Sequence, residues 1–308
     1  MTSQEKAPNK IYDMVYSMQD LHGMKSTIGP DTITLVRLTS AAPTFNNANV
    51  IRRTKAVNTR RKSSIDARRL MRIHENHYHW LDIADKIYLN GNDFIRDTFP
   101  EHIKDRIISM DNIAGNLNGK VSLRKHIPEK RAFLWHAGSG AIHKGLDLCL
   151  EVFARHPNWE LYITGDFKRE GDFLRAYEKE LRLPNIHNHG WLVVSSDRFR
   201  KIVSDCIAFI LPTCAESQSS AAVTCLSLGL YPIISRESGV DLPENCGLYL
   251  DSLTIADVEE KIEQLLSMND ADILEQISVI QQDALVRYSR ERFRKVMTEH
   301  IERALEGH

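Results

Sequence analysis

From residue 132 to residue 250, short continuous apolar runs alternate with stretches whose apolar positions recur at helical spacing. AFLWHA (132–137), WELYIT (159–164), IHNHGW (186–191), IAFILP (207–212), YPIIS (231–235) and GLYL (247–250) read as strands. Helices are predicted over 144–156, 170–182, 195–204 and 218–229, with Pro184 breaking the second and Gly229 ending the fourth. In the first of them Leu146, Cys149, Leu150 and Phe153 stand at i, i+3, i+4 and i+7, which is one buried face. Strands alternating with helices of about 10–15 residues predict βαβ units and a parallel sheet covered on both faces. Helices at about 255–267, 271–287 and 289–306 close the chain.

The pattern before residue 131 is less regular. Residues 1–10 read as a disordered tail. IYDMVY (11–16) and ITLVRL (33–38) are candidate strands, separated by a loop punctuated by Gly and Pro. TSAAPTFNNAN reads as a polar turn. A basic stretch follows, in which Arg52, Arg53, Lys55, Arg60, Arg61, Lys62, Arg68, Arg69 and Arg72 face only Asp66. WLDIADKIYLNG then reads as helical, and 99–130 as a linker with one short strand at 107–110. The division that results is a tail (1–10), an N-terminal α/β domain with linker (11–130), a second domain (131–288) and a closing helix (289–308).

Length and charge narrow the classes. A chain of 308 residues suits two domains or one large one. A net charge of −1 gives the whole chain no strong field toward nucleic acid or membrane. No run of about 18 apolar residues predicts a spanning helix. The opening MTSQEKAPNK is polar and lacks the apolar core of a secretory signal. Cys149, Cys206, Cys214, Cys225 and Cys246 form no CxxC pair, so they read as reduced thiols of a cytosolic protein without a zinc site.

In an open parallel sheet, ligands bind outside the carboxyl ends of the strands. The loop after AFLWHA holds Gly138, Ser139, Gly140 and Lys144; the loop after WELYIT holds Gly165 and Asp166. The loop after IAFILP runs from Thr213 through Glu216 to Gln218, Ser219 and Ser220, and opens a helix. Glycines, a lysine and helix N-termini suit a diphosphate. A carboxylate suits sugar hydroxyls, because an ionised Glu accepts from two donors at once. Taken singly, an ordinary βα turn with a surface lysine and a helix-capping Glu explain the same residues. The glycine spacing fits neither G-x-G-x-x-G nor a P-loop, and no acid follows at the ribose-binding distance, which disfavours an NAD enzyme.

These residues carry a resemblance. The run from Phe133 to about Ser238 resembles the nucleotide-sugar-binding half of retaining GT-B glycosyltransferases of the group-1 (GT4-like) superfamily. Lys144, Gly145, Leu146 and Asp147 match that family's K-G-x-D, HGW at 189–191 matches a strand end near the base, and the segment 207–235 matches its strand, Glu, small-residue helix and G-x-P block. The resemblance implies a Rossmann-like C-terminal donor domain and a shortened N-terminal acceptor domain that lacks the family's opening βα units. It implies that Lys144 holds the donor diphosphate beside Gly138, Ser139 and Gly140. Glu216 would contact the donor sugar, with the amides of Gln218, Ser219, Ser220 and Ala221 facing sugar and phosphate. Two departures stand out: the family's second Glu is Thr224 here, and the Arg common in its first loop is absent.

The expected activity is therefore metal-independent transfer of a sugar from a UDP- or GDP-sugar to a glycan or lipid-linked acceptor hydroxyl, with retention, in polysaccharide biosynthesis. No cofactor is expected. The departures keep open a non-catalytic nucleotide-sugar-binding protein or a subunit of a larger synthase. The basic stretch 52–72 could attract an anionic lipid-linked acceptor at the inner membrane face, or be a solvated helical face neutralised from elsewhere in the fold. Nothing in it suggests nucleic acid. His74, His77 and His79 have spacings too weak for a metal site and read as surface or hydrogen-bonded histidines.

Overall fold

A computed structural model describes residues 10–18, 21–73, 78–117, 119, 121–128 and 131–306. Except for Lys10, the tail expected over 1–10 lies outside them, as do His74 and His77. The chain forms two all-parallel sheets. The first comprises β1 (Met14–Met18), β2 (Ile33–Leu38), β3 (Lys86–Asn90) and β4 (Ile107–Met110), side by side in that order. Helix α1 (Pro43–Arg61) joins β2 to the short helix α2 (His79–Asp82), and α3 (Asp93–Arg96) and α4 (Glu101–Lys104) lie between β3 and β4.

Three sequence expectations change here. The first strand lies at Met14–Met18, later than 11–16. The polar stretch around residue 45 is the first part of α1: Pro43 stands at the first helical position, where its missing N–H costs nothing. WLDIADKIYLNG is helical only to Asp82, and Lys86–Asn90 is a strand whose last four residues are buried.

The second sheet has the order β10-β9-β8-β5-β6-β7. Its members, with their helices, are β5 (Ala132–Ala137), α5 (Leu146–Phe153), β6 (Glu160–Gly165), α6 (Gly171–Ala176), β7 (Ile186–Asn188), α7 (Asp197–Asp205), β8 (Ala208–Leu211), α8 (Ser220–Ser227), β9 (Tyr231–Ser235) and β10 (Leu248–Leu250). Every residue of β5, β8 and β9 is buried, as a sheet with both faces covered requires. The helix expected over 170–182 breaks after Ala176 and resumes as a single 3-10 turn at Glu180–Arg182.

The order fixes where the sheet opens. The chain builds outward from β5 through β6 to β7, then returns with β8 on the other side of β5. The switch point therefore lies between the carboxyl ends of β5 and β8, where a crevice forms because the following loops turn away in opposite directions. Helices α9 (Ile255–Ser267) and α10 (Asp270–Arg287) cover this sheet, with Val258, Ile262, Ile273, Ile277 and Ile280 in its core. Helix α11 (Arg290–Glu306) returns to the first sheet, where Phe293, Val296, Ile301 and Ala304 pack near Leu35 and Tyr88.

The basic stretch is an internal clamp. Arg53 on α1 is 4% exposed and donates to both carboxylate oxygens of Asp147, itself 0% exposed, at 2.8 Å each. Arg60 reaches Asp147 at 3.1 Å and Glu151 at 2.8 Å, Arg61 pairs with Glu180 at 2.6 Å, and Arg68 pairs with Asp172 at 2.8 Å. Four arginines of the stretch 52–72 are thus neutralised by carboxylates of the second unit, and nothing in the structure supports a membrane contact there. Among the described residues no helix is long and apolar enough to cross a membrane.

Candidate active site

The loop after β5 and the loop after β8 are zipped together. The Cys214 amide donates to the His143 carbonyl at 2.9 Å, Thr213 Oγ1 donates to the same oxygen at 3.2 Å, and His143 Nε2 donates to the Ala215 carbonyl. Gly145 makes this approach possible. Its φ is +73°, and a Cβ there would collide with the Pro212 carbonyl oxygen. Trp135 Nε1 donates to the Lys144 carbonyl at 3.0 Å and fixes the turn from below.

This zipping puts Lys144 against Glu216: the ammonium and the Glu216 carboxylate form an ion pair, with side chains 10% and 14% exposed. Burial draws the Lys144 ammonium down to about 7, and the Arg69 guanidinium adds to that. Glu216 is the carboxylate that the ammonium touches. Thr213 Oγ1 lies 3.3 Å from Glu216 Oε1 and steadies it. Behind them, burial and the charges of Lys144 and Arg69 hold the His143 ring well below its ordinary range, so it is neutral.

The pair opens onto a cleft of about 340 Å³ between the two sheets, within the usual size of small-molecule sites. The second unit contributes Gly138, Lys144, Glu216, Gln218, Ser219 and Ser220; the first contributes Arg37, Thr39, Arg69, Asn90 and Asn112. Helix α8 points its start into this space. Ser219 caps it by accepting from the Ala222 amide, and its own amide donates to the Ser238 carbonyl at 2.8 Å. The amides of Ser220 and Ala221, at the first two helical positions, have no intrahelical acceptor and face a ready anion site. A larger cavity of about 410 Å³ adjoins this cleft, but its polar groups already engage one another: Arg287 with Asp111 at 2.8 Å, and Asn92 with Asp241 at 2.6 Å.

Lys144, Glu216, Gly138, Gln218, Ser219 and Ser220 thus come together, although the Gln218 side chain is turned to the connecting segment. It donates to Asp111 Oδ1 at 3.0 Å and accepts from the Asn112 amide at 2.5 Å. The remaining expected residues are placed otherwise. The Gly140 amide donates to Glu170 Oε1 at 2.7 Å and the Ala141 amide to Glu170 Oε2 at 3.0 Å, so a buried carboxylate already occupies these amides. Ser139 contacts Arg69. Gly165 lies flat against the Trp135 ring, its amide donating to the Gly190 carbonyl at 3.0 Å, outside the cleft. Thr224 accepts from the Gly115 amide at 2.8 Å and donates to the Ser220 carbonyl at 2.5 Å, so its only proton is spent inside the protein and a single lone pair is left for a ligand. The cleft residues of the first unit went unnoticed in the sequence: Arg37, Thr39, Asn90 and Asn112 sit at strand ends or just beyond them, without a motif. Among the described residues no group of His, Cys, Asp and Glu is arranged to hold a metal ion.

Two facing parallel-sheet units with a cleft between them are the architecture of GT-B glycosyltransferases, and the chain shares it with solved members of that class. It aligns with sucrose-phosphate synthase from Thermosynechococcus elongatus at a TM-score of 0.69 and 11% identity, covering 96% of this chain and 75% of that one. TarM of S. aureus, solved with fondaparinux, alpha-GlcNAc-glycerol and UDP, aligns at 0.63 and 13%, covering 90% and 52%. HepE of Anabaena, in complex with UDP and glucose, aligns at 0.63 and 13%, covering 94% and 78%. The chain spans about half the length of TarM. No curated protein matches it in sequence. The model of the family "Glycosyl transferases group 1" matches residues 121–283, more than half of the chain. The protein belongs to that family.

Proposed function

We propose that the protein transfers a sugar from a nucleoside-diphosphate sugar to an acceptor hydroxyl, with retention at the anomeric carbon. One observation carries this reading: the Lys144 ammonium and the Glu216 carboxylate meet at the switch point of the sheet, beside the open amides of α8. Lys144 and the helix start receive the diphosphate; Glu216 orients sugar hydroxyls. As the bond from the anomeric carbon to the diphosphate oxygen breaks, its electron pair leaves on that oxygen. The charge that develops there meets preorganised donors. The acceptor hydroxyl bonds to the same face, and its proton passes to the departing diphosphate. Protein cations take the part that a metal plays in other transferases. UDP accompanies both TarM and HepE, which favours a UDP-sugar over a GDP-sugar as the donor; the acceptor is a glycan or lipid-linked saccharide.

The test is turnover of a panel of UDP- and GDP-sugars by wild type, Lys144→Ala and Glu216→Ala. Loss of a few kcal/mol of transition-state stabilisation in each variant, about 100-fold or more in rate, is expected. Unchanged turnover in both removes the assignment. A second reading, donor binding without transfer, is favoured by one specific observation: Thr224, at the position of the family's second Glu, has its proton on the Ser220 carbonyl and accepts from the Gly115 amide, which leaves one lone pair where a Glu would offer two carboxylate oxygens. Donor binding in calorimetry with no turnover against acceptor extracts would select it.

A further inference from the structure

Of the arginines in the basic stretch, Arg53, Arg60, Arg61 and Arg68 each hold a carboxylate of the second unit. Arg69 is different. Its side chain is exposed, lines the cleft with Lys144, and has no carboxylate partner among the described residues. The backbone is built to place it. Arg69 adopts φ +63°, a left-handed conformation that a non-glycine residue takes only against steric resistance. Two asparagines of α1 hold that conformation: Asn46 Nδ2 donates to the Arg69 carbonyl at 3.0 Å, and Asn47 both accepts from the Met71 amide and donates to the Met71 carbonyl at 2.7 Å. The side chain then passes directly over Gly140, where any Cβ would collide with Arg69 Cδ, and its guanidinium ends 3.4 Å from Ser139 Oγ.

The result is a like-charge neighbour for Lys144. Around the cleft stand the cations Arg37, Arg69 and Lys144 against the single carboxylate Glu216, a surplus of two positive charges. Cations held side by side repel one another, and a strained backbone that enforces the arrangement stands out at a ligand site. A doubly charged anion removes the repulsion, and a guanidinium can grip it with two parallel donors.

We propose that Arg69 is a binding residue for the donor diphosphate, supplied from the first unit across Gly140 to complete a site whose other cation, Lys144, comes from the second. It takes the place of the cation missing from the loop after β5. The diphosphate site is then whole only when both units are in register. This rests on the reading that the cleft takes a nucleoside diphosphate.

The experiment is calorimetry on wild type, Arg69→Gln, Arg69→Lys, Arg68→Gln and Lys144→Ala with UDP, GDP, UMP and inorganic pyrophosphate, each variant's melting temperature being recorded. Arg69→Gln is expected to weaken UDP and pyrophosphate about tenfold, the loss of one charge-assisted contact, and UMP less than about twofold. Arg69→Lys should recover part of the loss, and Arg68→Gln should lower the melting temperature with little effect on UDP. UDP affinity within twofold of wild type in Arg69→Gln, while Lys144→Ala loses it, overturns the proposal and leaves the nucleotide reading standing. Equal weakening of UDP and UMP with a lowered melting temperature makes Arg69 structural and also overturns it. Pyrophosphate binding that depends on Arg69, with UDP and GDP no tighter, refutes the nucleotide reading and overturns the proposal with it. A wild type that binds none of the probes refutes both.

Discussion

Replacing Arg53 by methionine leaves Asp147 buried with one partner fewer. The two side chains are 4% and 0% exposed, and the guanidinium makes two bonds of 2.8 Å to the carboxylate and one of 3.1 Å to the Leu253 carbonyl. Removing one partner of such a buried pair costs roughly 3–5 kcal/mol, because the remaining charge is desolvated and uncompensated. Arg60, 3.1 Å from Asp147, stays and recovers part of this, so a loss of roughly 2–4 kcal/mol is expected. At about 2–4 °C per kcal/mol, the melting temperature should fall by roughly 4–16 °C in scanning calorimetry. The double variant Arg53→Met with Asp147→Leu should regain most of that, since an apolar pair of similar volume often replaces a buried ion pair without penalty. A single variant within about 1 °C of wild type, or a double variant worse than the single, would refute the reasoning that this pair locks α1 onto α5.

Three further outcomes follow from the geometry. Burial draws the His136 ring down to about 4, so between pH 6.5 and 4 the unfolded chain binds the proton that the folded chain refuses. Stability is therefore lost as pH falls through that window, by roughly 3 kcal/mol from this group; urea midpoints should show a flatter acid limb in His136→Gln, and parallel limbs would contradict this. Thr224→Val leaves the Gly115 amide without its acceptor and should cost about 1–2 kcal/mol in urea unfolding, whereas an unchanged midpoint would free the hydroxyl for a ligand role. Gly145→Ala forces a Cβ into the Pro212 carbonyl at φ +73° and should cost at least about 2 kcal/mol in the same assay, together with UDP binding; a stable variant that binds UDP normally would show that the loop packing does not set the site.

The second sheet was legible because its strands are buried on both faces and so appear as unbroken apolar runs, while Pro184 and Gly229 punctuate the helices between them. The first unit was harder for a physical reason. Buried positions of α1 include the polar residues Asn46, Arg53 and Thr54, the first two bonded to groups far along the chain, so the apolar period that marks a helix is masked. Arg53 appeared as one charge among many; only the fold shows that Asp147, far along the chain, neutralises it. Lys144 and Glu216 were readable because each stands in a loop at the carboxyl end of a strand, and the switch-point rule brings such loops together. Gly140, Gly165 and Thr224 belong to the same loops or helices, yet Glu170, Trp135 and Gly115 claim them. No local pattern records such long-range partners. Arg69 was visible only as part of a charge run, and its separation from its paired neighbours depends on a single left-handed residue.

The most direct measurement is a crystal structure of the protein with saturating UDP. The diphosphate is expected within hydrogen-bonding distance of Lys144 Nζ and of the amides of Ser220 and Ala221, with Glu216 at the edge where a sugar would extend. UDP bound elsewhere, or Lys144 and Glu216 turned into separate regions when UDP is bound, would contradict it.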